Sequence, residues 1–284
     1  MQINEKVHSI KIPFQIKKES GELIERVVYV YLIYGEEVYL IDSGLAASHE
    51  IICEYLEKTG RSCEEIALII HTHSHPDHIG SSKILKELSG CAIAIHQNEV
   101  SWLEDIENQY QERPVPNFHQ MVGGPVNVDI ALEDNDVIEL EENLQLEVIH
   151  TPGHSSGSIS LKIPGANVIF TGDSIPVAGE IPIYDDFNEC VSSLKKLKEI
   201  DDYQVLLESW DQPKSFDEAQ EAIKDSLDYL DYIDQLVTEY ESENDAIKPD
   251  DLVKYVLKEL GLPENLANPL IYRSLKSHLK GSPG

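Results

Sequence analysis

Histidines are concentrated in one short stretch of this sequence. In the segment "LIIHTHSHPDHIGSS", four of the 11 histidines (His71, His73, His75 and His78) and the carboxylate of Asp77 fall within eight positions. Imidazole suits Zn²⁺ and Fe²⁺, and a carboxylate suits the harder ion of a pair. His73 and His75 are two residues apart, so they project from the same side of an extended chain. Asp77 and His78 follow where the chain turns, and they can face a second position nearby. The spacing therefore favours two adjacent metal ions, with His71 outside the ligand set.

Two later segments offer further ligands. His154 lies in "TPGHSSGS", where Pro152 and Gly153 predict a tight turn after a strand, and Asp173 lies in "FTGDS" at another strand end. The glycine before Asp173 lets the backbone approach its neighbours closely. A single histidine after a turn is more often a hydrogen-bonded surface residue, so each segment alone is a weak signal. All three segments, in order and each at a predicted strand end, indicate a metal centre.

Short β-branched runs bounded by Gly, Pro, Asp or Asn recur through the first 210 residues and predict strands, among them "VVYVYLIYG", "IALIIHTH" and "NVIFTGDS". Apolar residues at helical spacing predict helices over residues 48–58, 81–89 and 187–199. A strand-rich chain with interspersed helices predicts an α/β or α+β sandwich.

The composition changes after Pro213. An apolar stripe at helical spacing predicts a helix over 215–241, a second is expected over 250–260, and a third over 264–280. We therefore expect a main domain at 1–212 and a helical appendage at 213–284. The appendage could be simple core packing, or it could shape a pocket mouth or a dimer contact.

The combination of "HTHSHPDHIG", "HTPGHSSGS" and "FTGDS", preceded by "YLIDSG", resembles the metallo-β-lactamase-fold hydrolases over about residues 7–212. The glyoxalase II and lactonase-like branches are more similar than the true β-lactamases. The resemblance implies a four-layer αββα sandwich with the metal centre at one edge between two sheets. It implies the following roles: His73, His75 and His154 bind metal one, Asp77 and His78 bind metal two, Asp173 bridges them, and Asp42 is a buried aspartate that orients a ligand imidazole.

The chain departs from this family pattern at its last expected ligand. Family members usually carry a histidine after the last strand of the sandwich, but "VLLESWDQP" contains none, and Trp210 falls about where it should be. Asp211 could replace the imidazole, which would favour a harder metal such as Fe or Mn. Alternatively, site two is under-ligated and the working protein carries one metal, or Asp211 is only a turn residue before Pro213.

The resemblance implies a hydrolase that uses a metal-bound hydroxide on a small ester, thioester or lactone, with two Zn²⁺ ions expected and Fe or Mn as alternatives. Asp77 would orient the hydroxide and accept its proton, so no serine or cysteine nucleophile is needed. Tyr184, soon after Asp173, is a candidate for contacting the substrate. The segment 97–126 is expected to be a loop that influences specificity, through Trp102, Tyr110, Phe118 and Met121, unless these residues belong to the core.

Two other functions remain open from the sequence. A single Fe²⁺ held by His73, His154 and Asp173 would resemble the persulfide dioxygenases of the same fold. A non-catalytic scaffold would be expected to have lost ligands, yet six of the usual seven remain.

The balance of charged residues restricts the classes of molecule that this protein is expected to bind. With 22 Lys+Arg against 52 Asp+Glu, the formal net charge is -30. Such a field repels phosphate backbones and anionic membranes, so we expect neither a nucleic acid nor a membrane as a partner. We expect a small-molecule substrate, and a homodimer is one option.

The four cysteines show no C-x-x-C spacing, and the sequence has no signal-like apolar segment. Both observations predict reduced thiols and a cytoplasmic protein.

Overall fold

The computed structural model describes residues 1–17 and 23–279, so Lys280 of the predicted third helix lies outside the described residues. Within the described part, twelve strands form two six-stranded sheets. The first sheet contains, in spatial order, β1 (Val7–Lys17), β2 (Leu23–Tyr34), β3 (Val38–Ile41), β4 (Ile66–Ile70), β5 (Ala92–His96) and β6 (Ile130–Leu132). The second contains, from one edge to the other, β7 (Val137–Glu141), β8 (Leu144–His150), β9 (Ile159–Ile163), β10 (Val168–Gly172), β11 (Val205–Glu208) and β12 (Lys214–Ser215).

Ten α-helices lie among the described residues: α1 (Ser48–Lys58), α2 (Pro76–Ile79), α3 (Ser82–Ser89), α4 (Val100–Glu104), α5 (Ile106–Glu112), α6 (Phe118–Met121), α7 (Phe187–Lys198), α8 (Phe216–Glu243), α9 (Pro249–Glu259) and α10 (Pro269–Lys276). Residues of α1 and α3 pack on the outer face of the first sheet, and residues of α7 and α8 pack on the outer face of the second. The predicted four-layer αββα sandwich with a C-terminal helical part is confirmed.

The strands of the first sheet are apolar on both faces because both faces are covered. In β2, Tyr31 and Ile33 point into the core between the sheets, whereas Val30 and Leu32 point into the core beneath the outer helices. This alternation follows from the two-residue period of a strand. It explains why the sequence shows a continuous apolar run here rather than apolar and polar residues in turn.

The sheet topology gathers the ends of several strands at one edge. Strands β3, β4 and β5 are parallel to one another, and β10 is parallel to β11. Asp42 follows β3, the histidine-rich segment follows β4, and Asp173 follows β10. Carboxyl ends of parallel strands lie at the same edge of a sheet, so residues far apart in sequence meet there.

Helices differ from expectation in two places. The segment 97–126, expected as a loop, contains α4, α5 and α6. The predicted third C-terminal helix is interrupted: a 3₁₀ turn at Glu264–Leu266 precedes α10, which begins at Pro269 with the Asn268 side chain accepting hydrogen bonds from the first turn. Proline at the first helical position starts a helix but cannot lie inside one, which is why the element divides here.

The long helix α8 belongs to two cores. Ala219 and Ile223 pack against the outer core of the second sheet, whereas Ile233 and Val237 pack with α9 and α10. The helical appendage is thus joined to the sandwich by one continuous helix. The division at residues 212 and 213 stays a prediction.

The structure differs from the expectation that all four cysteines are reduced thiols. Cys53 and Cys63 are joined in a disulfide with their Cα atoms 5.3 Å apart, while Cys91 and Cys190 are buried and free. The prediction of four reduced thiols is therefore wrong for the first pair, which lie within α1 and in the turn before β4. Because that prediction supported a cytoplasmic location, the compartment stays a prediction. No helix of the described residues is long and apolar enough to cross a membrane.

Candidate metal centre

The structure brings His73, His75 and His154 together as one possible set of metal ligands. One nitrogen from each of these buried side chains lies within 4.8 Å of the others. Nε2 of His154 lies 2.8 Å from Nδ1 of His75. The Nδ1–H of His154 donates to the carbonyl of Ile183 at 3.0 Å, which leaves Nε2 to face the other two imidazoles.

A second set of ligands shares His73 with the first and adds His78 and Asp173. Oδ1 of Asp173 lies 3.4 Å from Nε2 of His78, and Oδ2 lies 3.3 Å from Nε2 of His154. The two carboxylate oxygens of Asp173 thus face different sets. This is the arrangement expected of a carboxylate between two metal positions.

Several buried polar atoms at this centre have no hydrogen-bond partner within the described residues. They are Nε2 of His73, His75 and His78, and Oδ1 of Asp173. A buried donor or acceptor without a partner costs about 1–3 kcal/mol, so such a concentration needs an explanation. Imidazole nitrogens and a carboxylate oxygen converging from three loops form a donor set that fits Zn²⁺ or Fe²⁺.

Asp42 orients two of the histidines. Its Oδ2 accepts from Nδ1 of His78 at 2.9 Å and from the hydroxyl of Thr72 at 2.8 Å. That hydroxyl in turn lies 3.1 Å from Nδ1 of His73. Both ligand rings therefore turn Nε2 toward the centre. Asp42 adopts φ +59°, in the left-handed region, which Asp and Asn tolerate better than most residues.

The electrostatics of the centre suit a cation. Burial lowers the pKa of His73, His75 and His154 below the ordinary imidazole value, which keeps these rings neutral. Burial alone would also lower the pKa of His78, but the carboxylates of Asp173, Asp77 and Asp42 raise it well above that value. Positive charge is thus stabilised beside Asp173 even without a metal.

Asp77 lies beside the second set of ligands. Its Oδ2 is 3.6 Å from Nε2 of His78, and the side chain is 12% exposed toward the cavity described below. Burial raises the pKa of this carboxyl group, although the charge of His78 opposes the change. A carboxylate with a raised pKa at the wall of a cavity is suited to accept a proton.

Glu99 joins the loops that carry the ligands, and sequence reasoning missed it. Its buried carboxylate accepts from the hydroxyl and N–H of Ser74, from Ser155 Oγ at 2.7 Å and from Gly157 N at 2.8 Å. Ser74 lies between His73 and His75, and Ser155 follows His154. The one available signal was a glutamate shortly after the end of β5, which is too common to identify such a residue.

The stretch Gly153–Gly157 matches the G-x-S-x-G spacing of serine hydrolases. However, Ser155 is buried, and its hydroxyl donates to Glu99 rather than to a histidine base. It therefore lacks the partner that would make it a nucleophile. Gly153 serves another purpose: at φ +129°, a Cβ there would lie within 2.6 Å of Cys190 backbone and side-chain atoms.

Among the described residues, Asp211 belongs to neither set of candidate ligands and its carboxylate has other partners, which argues against its expected role as a ligand. Its Oδ2 accepts from Lys214 Nζ at 2.6 Å and its Oδ1 from Gln212 N at 2.7 Å. Trp210 approaches the centre instead: its indole N–H donates to Oδ2 of Asp173 at 2.7 Å. An indole offers no lone pair to a metal, so the expected last histidine has no replacement at either position.

Tyr184 does not contact the cavity, which corrects its proposed role in substrate binding. The side chain is 1% exposed, and its hydroxyl lies 2.7 Å from Nε2 of His278. Its backbone N–H donates to Ser274 Oγ at 2.8 Å. Since the preceding carbonyl, that of Ile183, accepts from His154, Tyr184 links the C-terminal helices to a candidate ligand.

A cavity of about 660 Å³ opens over the two sets of ligands. Its walls come from the β1–β2 hairpin, residues 113–121, residues 175–183 and Leu270 of α10. Of the four residues expected to influence specificity, only Met121 is among the residues that line the cavity. Phe118 lies in the core, and Tyr110 packs against it. The indole N–H of Trp102 donates to Glu112. Part of segment 97–126 thus lines the cavity, and its influence on specificity stays a prediction.

Known proteins are similar in sequence over the same region. A family model described as the metallo-beta-lactamase superfamily matches residues 23–209. A probable metallo-hydrolase of Methanocaldococcus jannaschii is 36% identical over 148 residues, 51% of this chain and 66% of that protein. An acyl-coenzyme A thioesterase of Gallus gallus is 32% identical over 194 residues, 61% of this chain and 67% of that protein. A hydroxyacylglutathione hydrolase of Pelagibacter ubique is 28% identical over 131 residues, 46% of this chain and 45% of that protein.

The chain thus spans about two-thirds or less of the length of these relatives. In three dimensions, a metallo-beta-lactamase family protein from Thermus thermophilus shares the fold, with a TM-score of 0.73 at 18% identity over 95% of this chain and 91% of that one. The resemblance seen in the sequence is confirmed: the chain belongs to the metallo-beta-lactamase superfamily.

Proposed function

We propose that this protein is a metal-dependent hydrolase of small esters or thioesters. The observation that carries the proposal is the convergence of unpartnered imidazole and carboxylate atoms at the floor of a cavity large enough for a small substrate. Relatives named as a thioesterase and as a hydroxyacylglutathione hydrolase support the choice of bond.

His73, His75 and His154 would hold one ion, and His78, Asp77 and Asp173 would hold a second beside it. When bound, a divalent metal supplies Lewis acidity, which activates water and polarises the carbonyl of the substrate. Zn²⁺ is the ion we propose, with Fe or Mn as alternatives. Because site two lacks its usual last ligand, we expect the first site to fill before the second.

Asp77 would act as the general base. It is the carboxylate at the centre that both lines the cavity and has a pKa raised by burial. It would orient the attacking water and take up its proton as the water oxygen bonds to the carbonyl carbon of the substrate. The C–O or C–S bond would then break, and the leaving alkoxide or thiolate would receive that proton, which gives a carboxylic acid and an alcohol or thiol. Asp173 and Asp42 would stay ionised, since neighbouring imidazoles hold the pKa of each carboxyl group low despite burial.

The test begins with metal analysis of protein purified without a chelator, followed by thiol release from a panel of acyl thioesters. We expect zinc, hydrolysis that a chelator abolishes, and a loss of about 100-fold or more in kcat for Asp77→Asn. His75→Ala should lower the metal content, whereas the exposed His119→Ala should not. Iron at one ion per chain with oxygen consumption would instead support the dioxygenase, and unchanged metal content in His75→Ala would contradict both.

A further inference from the structure

The cavity contains a buried arginine that the proposed hydrolysis does not use. Arg113 is 6% exposed and lines the cavity together with His75, Asp77 and His154. Within the described residues its Nε has no hydrogen-bond partner and its guanidinium forms no ion pair. Arginine is almost never fully buried without a partner, because an uncompensated buried charge is costly.

Arg113 cannot relieve this cost by losing its proton. Burial lowers the pKa of its guanidinium, but nearby carboxylates, chiefly those of Asp185 and Asp77, raise it. An arginine starts from a pKa above about 12 and stays charged in proteins. Among the described residues no ion pair joins Arg113 to Asp185, whose carboxylate oxygens accept from Arg273 at 2.7 and 2.8 Å.

The position of Arg113 is tied to the metal centre. It follows the last residue of α5, and its backbone N–H donates to Gln109 O at 2.8 Å. The side chain of Gln109, one turn earlier, donates to the carbonyl of Ser74 at 2.6 Å. The backbone of Arg113 is therefore held at a fixed place relative to the loop that carries His73 and His75.

Two arginines line the cavity, and Arg113 is the buried one, whereas Arg26 is half-buried. Asp77 and Asp173 face the metal centre, and Glu208 and Asp211 accept from Lys214. Apolar side chains, including Val115 and Leu270, line the same space. An apolar surface excludes water and so strengthens the attraction between a guanidinium and an oxyanion. The guanidinium can bind such an oxyanion through two parallel hydrogen bonds.

We infer that Arg113 forms an anion subsite, so that the substrate is an ester or thioester carrying a carboxylate or phosphate near the bond that breaks. The type of bond that is hydrolysed rests on the proposed function, whereas the binding of an anion by Arg113 does not. The anion could belong to the acyl group or to the leaving group, and matched substrate pairs separate these two sources.

The first experiment measures kcat/KM for two such pairs with the metal-loaded protein. Succinyl- and butyryl-N-acetylcysteamine differ in a carboxylate on the acyl side, and acetyl-phosphopantetheine and acetyl-pantetheine differ in a phosphate on the leaving group. We expect the wild type to prefer the anionic member of one pair. Arg113→Met should lose about tenfold or more of kcat/KM for that member and less than about twofold for its neutral partner, and Arg113→Lys should lose less.

Arg26→Met is the matched control, because Arg26 lines the outer part of the same cavity and is half-buried. An equal loss of preference in Arg26→Met would overturn the inference, since a general field of positive charge would then explain the result. Equal losses for charged and neutral substrates in Arg113→Met would overturn it as well.

The second experiment measures melting temperature and does not depend on hydrolysis. Succinate and phosphopantetheine are added to the wild type and to Arg113→Met, each with the same metal content. We expect one of the anions to raise the melting temperature of the wild type only, and Arg113→Met without ligand to melt no lower than the wild type, because the substitution removes an unpaired buried charge. A large fall in melting temperature, or no effect of either anion on the wild type, would contradict the inference. Stabilisation without hydrolysis of any ester or thioester tested would preserve the anion subsite and refute the proposed reaction.

Discussion

The indole N–H of Trp210 donates to Oδ2 of Asp173 at 2.7 Å, at the place where the superfamily resemblance leads one to expect a histidine ligand. The bond occupies one oxygen of the carboxylate that lies between the two sets of ligands. It keeps Asp173 in position, but it adds no lone pair for a metal. A metal at the second candidate position would therefore have fewer ligands than the family pattern supplies.

Trp210→His should strengthen binding at this second position. An imidazole there could act as a ligand where the indole cannot, and we expect the affinity for a second Zn²⁺ to increase about tenfold or more, equivalent to about 1.4 kcal/mol. Titration of the chelator-treated protein with Zn²⁺, followed by metal analysis after gel filtration, measures the stoichiometry. Trp210→Phe is the control, since it removes the hydrogen bond without supplying a ligand. If both variants bind metal like the wild type, Trp210 does not limit the second position.

Glu99→Gln should loosen the metal centre without removing a ligand. The amide keeps the shape of the side chain, but it cannot accept from Ser74, Ser155 and Gly157 as the carboxylate does. We expect a loss of about 3 kcal/mol in the free energy of unfolding and about tenfold in metal affinity. Chemical denaturation and Zn²⁺ titration measure the two effects. Glu107→Gln, at an exposed residue of the same segment that pairs with His119, should change stability by less than about 0.5 kcal/mol.

Tyr184→Phe distinguishes a structural tyrosine from one that binds substrate. Removing the hydroxyl leaves Nε2 of His278 without its partner in a buried place, so we expect a loss of about 1–2 kcal/mol in the free energy of unfolding. The KM for any thioester that the wild type hydrolyses should stay unchanged. A raised KM with unchanged stability would restore Tyr184 as a substrate contact.

Asp42→Asn should destabilise the metal-free protein in a manner that depends on pH. Burial would raise the pKa of Asp42, but the charge and hydrogen bond of His78, together with His71 at 3.6 Å, lower it below the value of about 4 expected in the unfolded chain. A carboxyl group with a depressed pKa contributes stability above its unfolded pKa and loses it as the pH falls. The wild type should therefore exceed Asp42→Asn by about 3 kcal/mol at pH 7, and the difference should shrink below about pH 4.

Asparagine is the appropriate substitute because it also tolerates the positive φ of this position. The measurement is urea denaturation across the pH range in the presence of a chelator. Asp129→Asn serves as the control, since Asp129 is a half-exposed acid paired with Lys86 and should contribute less than about 1 kcal/mol. A difference between wild type and Asp42→Asn that is the same at all pH values would refute the electrostatic explanation.

The superfamily, the layered sandwich and the segments that carry the candidate metal centre can all be predicted from the sequence. Residue type and strand period are local properties, so "HTHSHPDHIG" could be assigned to a strand end and to metal binding without knowledge of any neighbour. Helices with a clear apolar stripe, such as α1 and α8, were predicted for the same reason.

Which side chains meet depends on the folded chain. Tyr184 is a plausible substrate contact from its place in the sequence, but His278, 94 residues later, binds its hydroxyl. Asp211 is bound by Lys214, three residues later, and this local ion pair could not be distinguished from a metal contact by residue type alone. Glu99 and Arg113 belong to no sequence motif, and their importance arises from burial. Glu99 accepts hydrogen bonds from the two loops that carry candidate ligands. Arg113 is charged, and its Nε has no hydrogen-bond partner among the described residues. The cost of burying a polar group depends on all of its neighbours at once, and that information is absent from any short stretch of sequence.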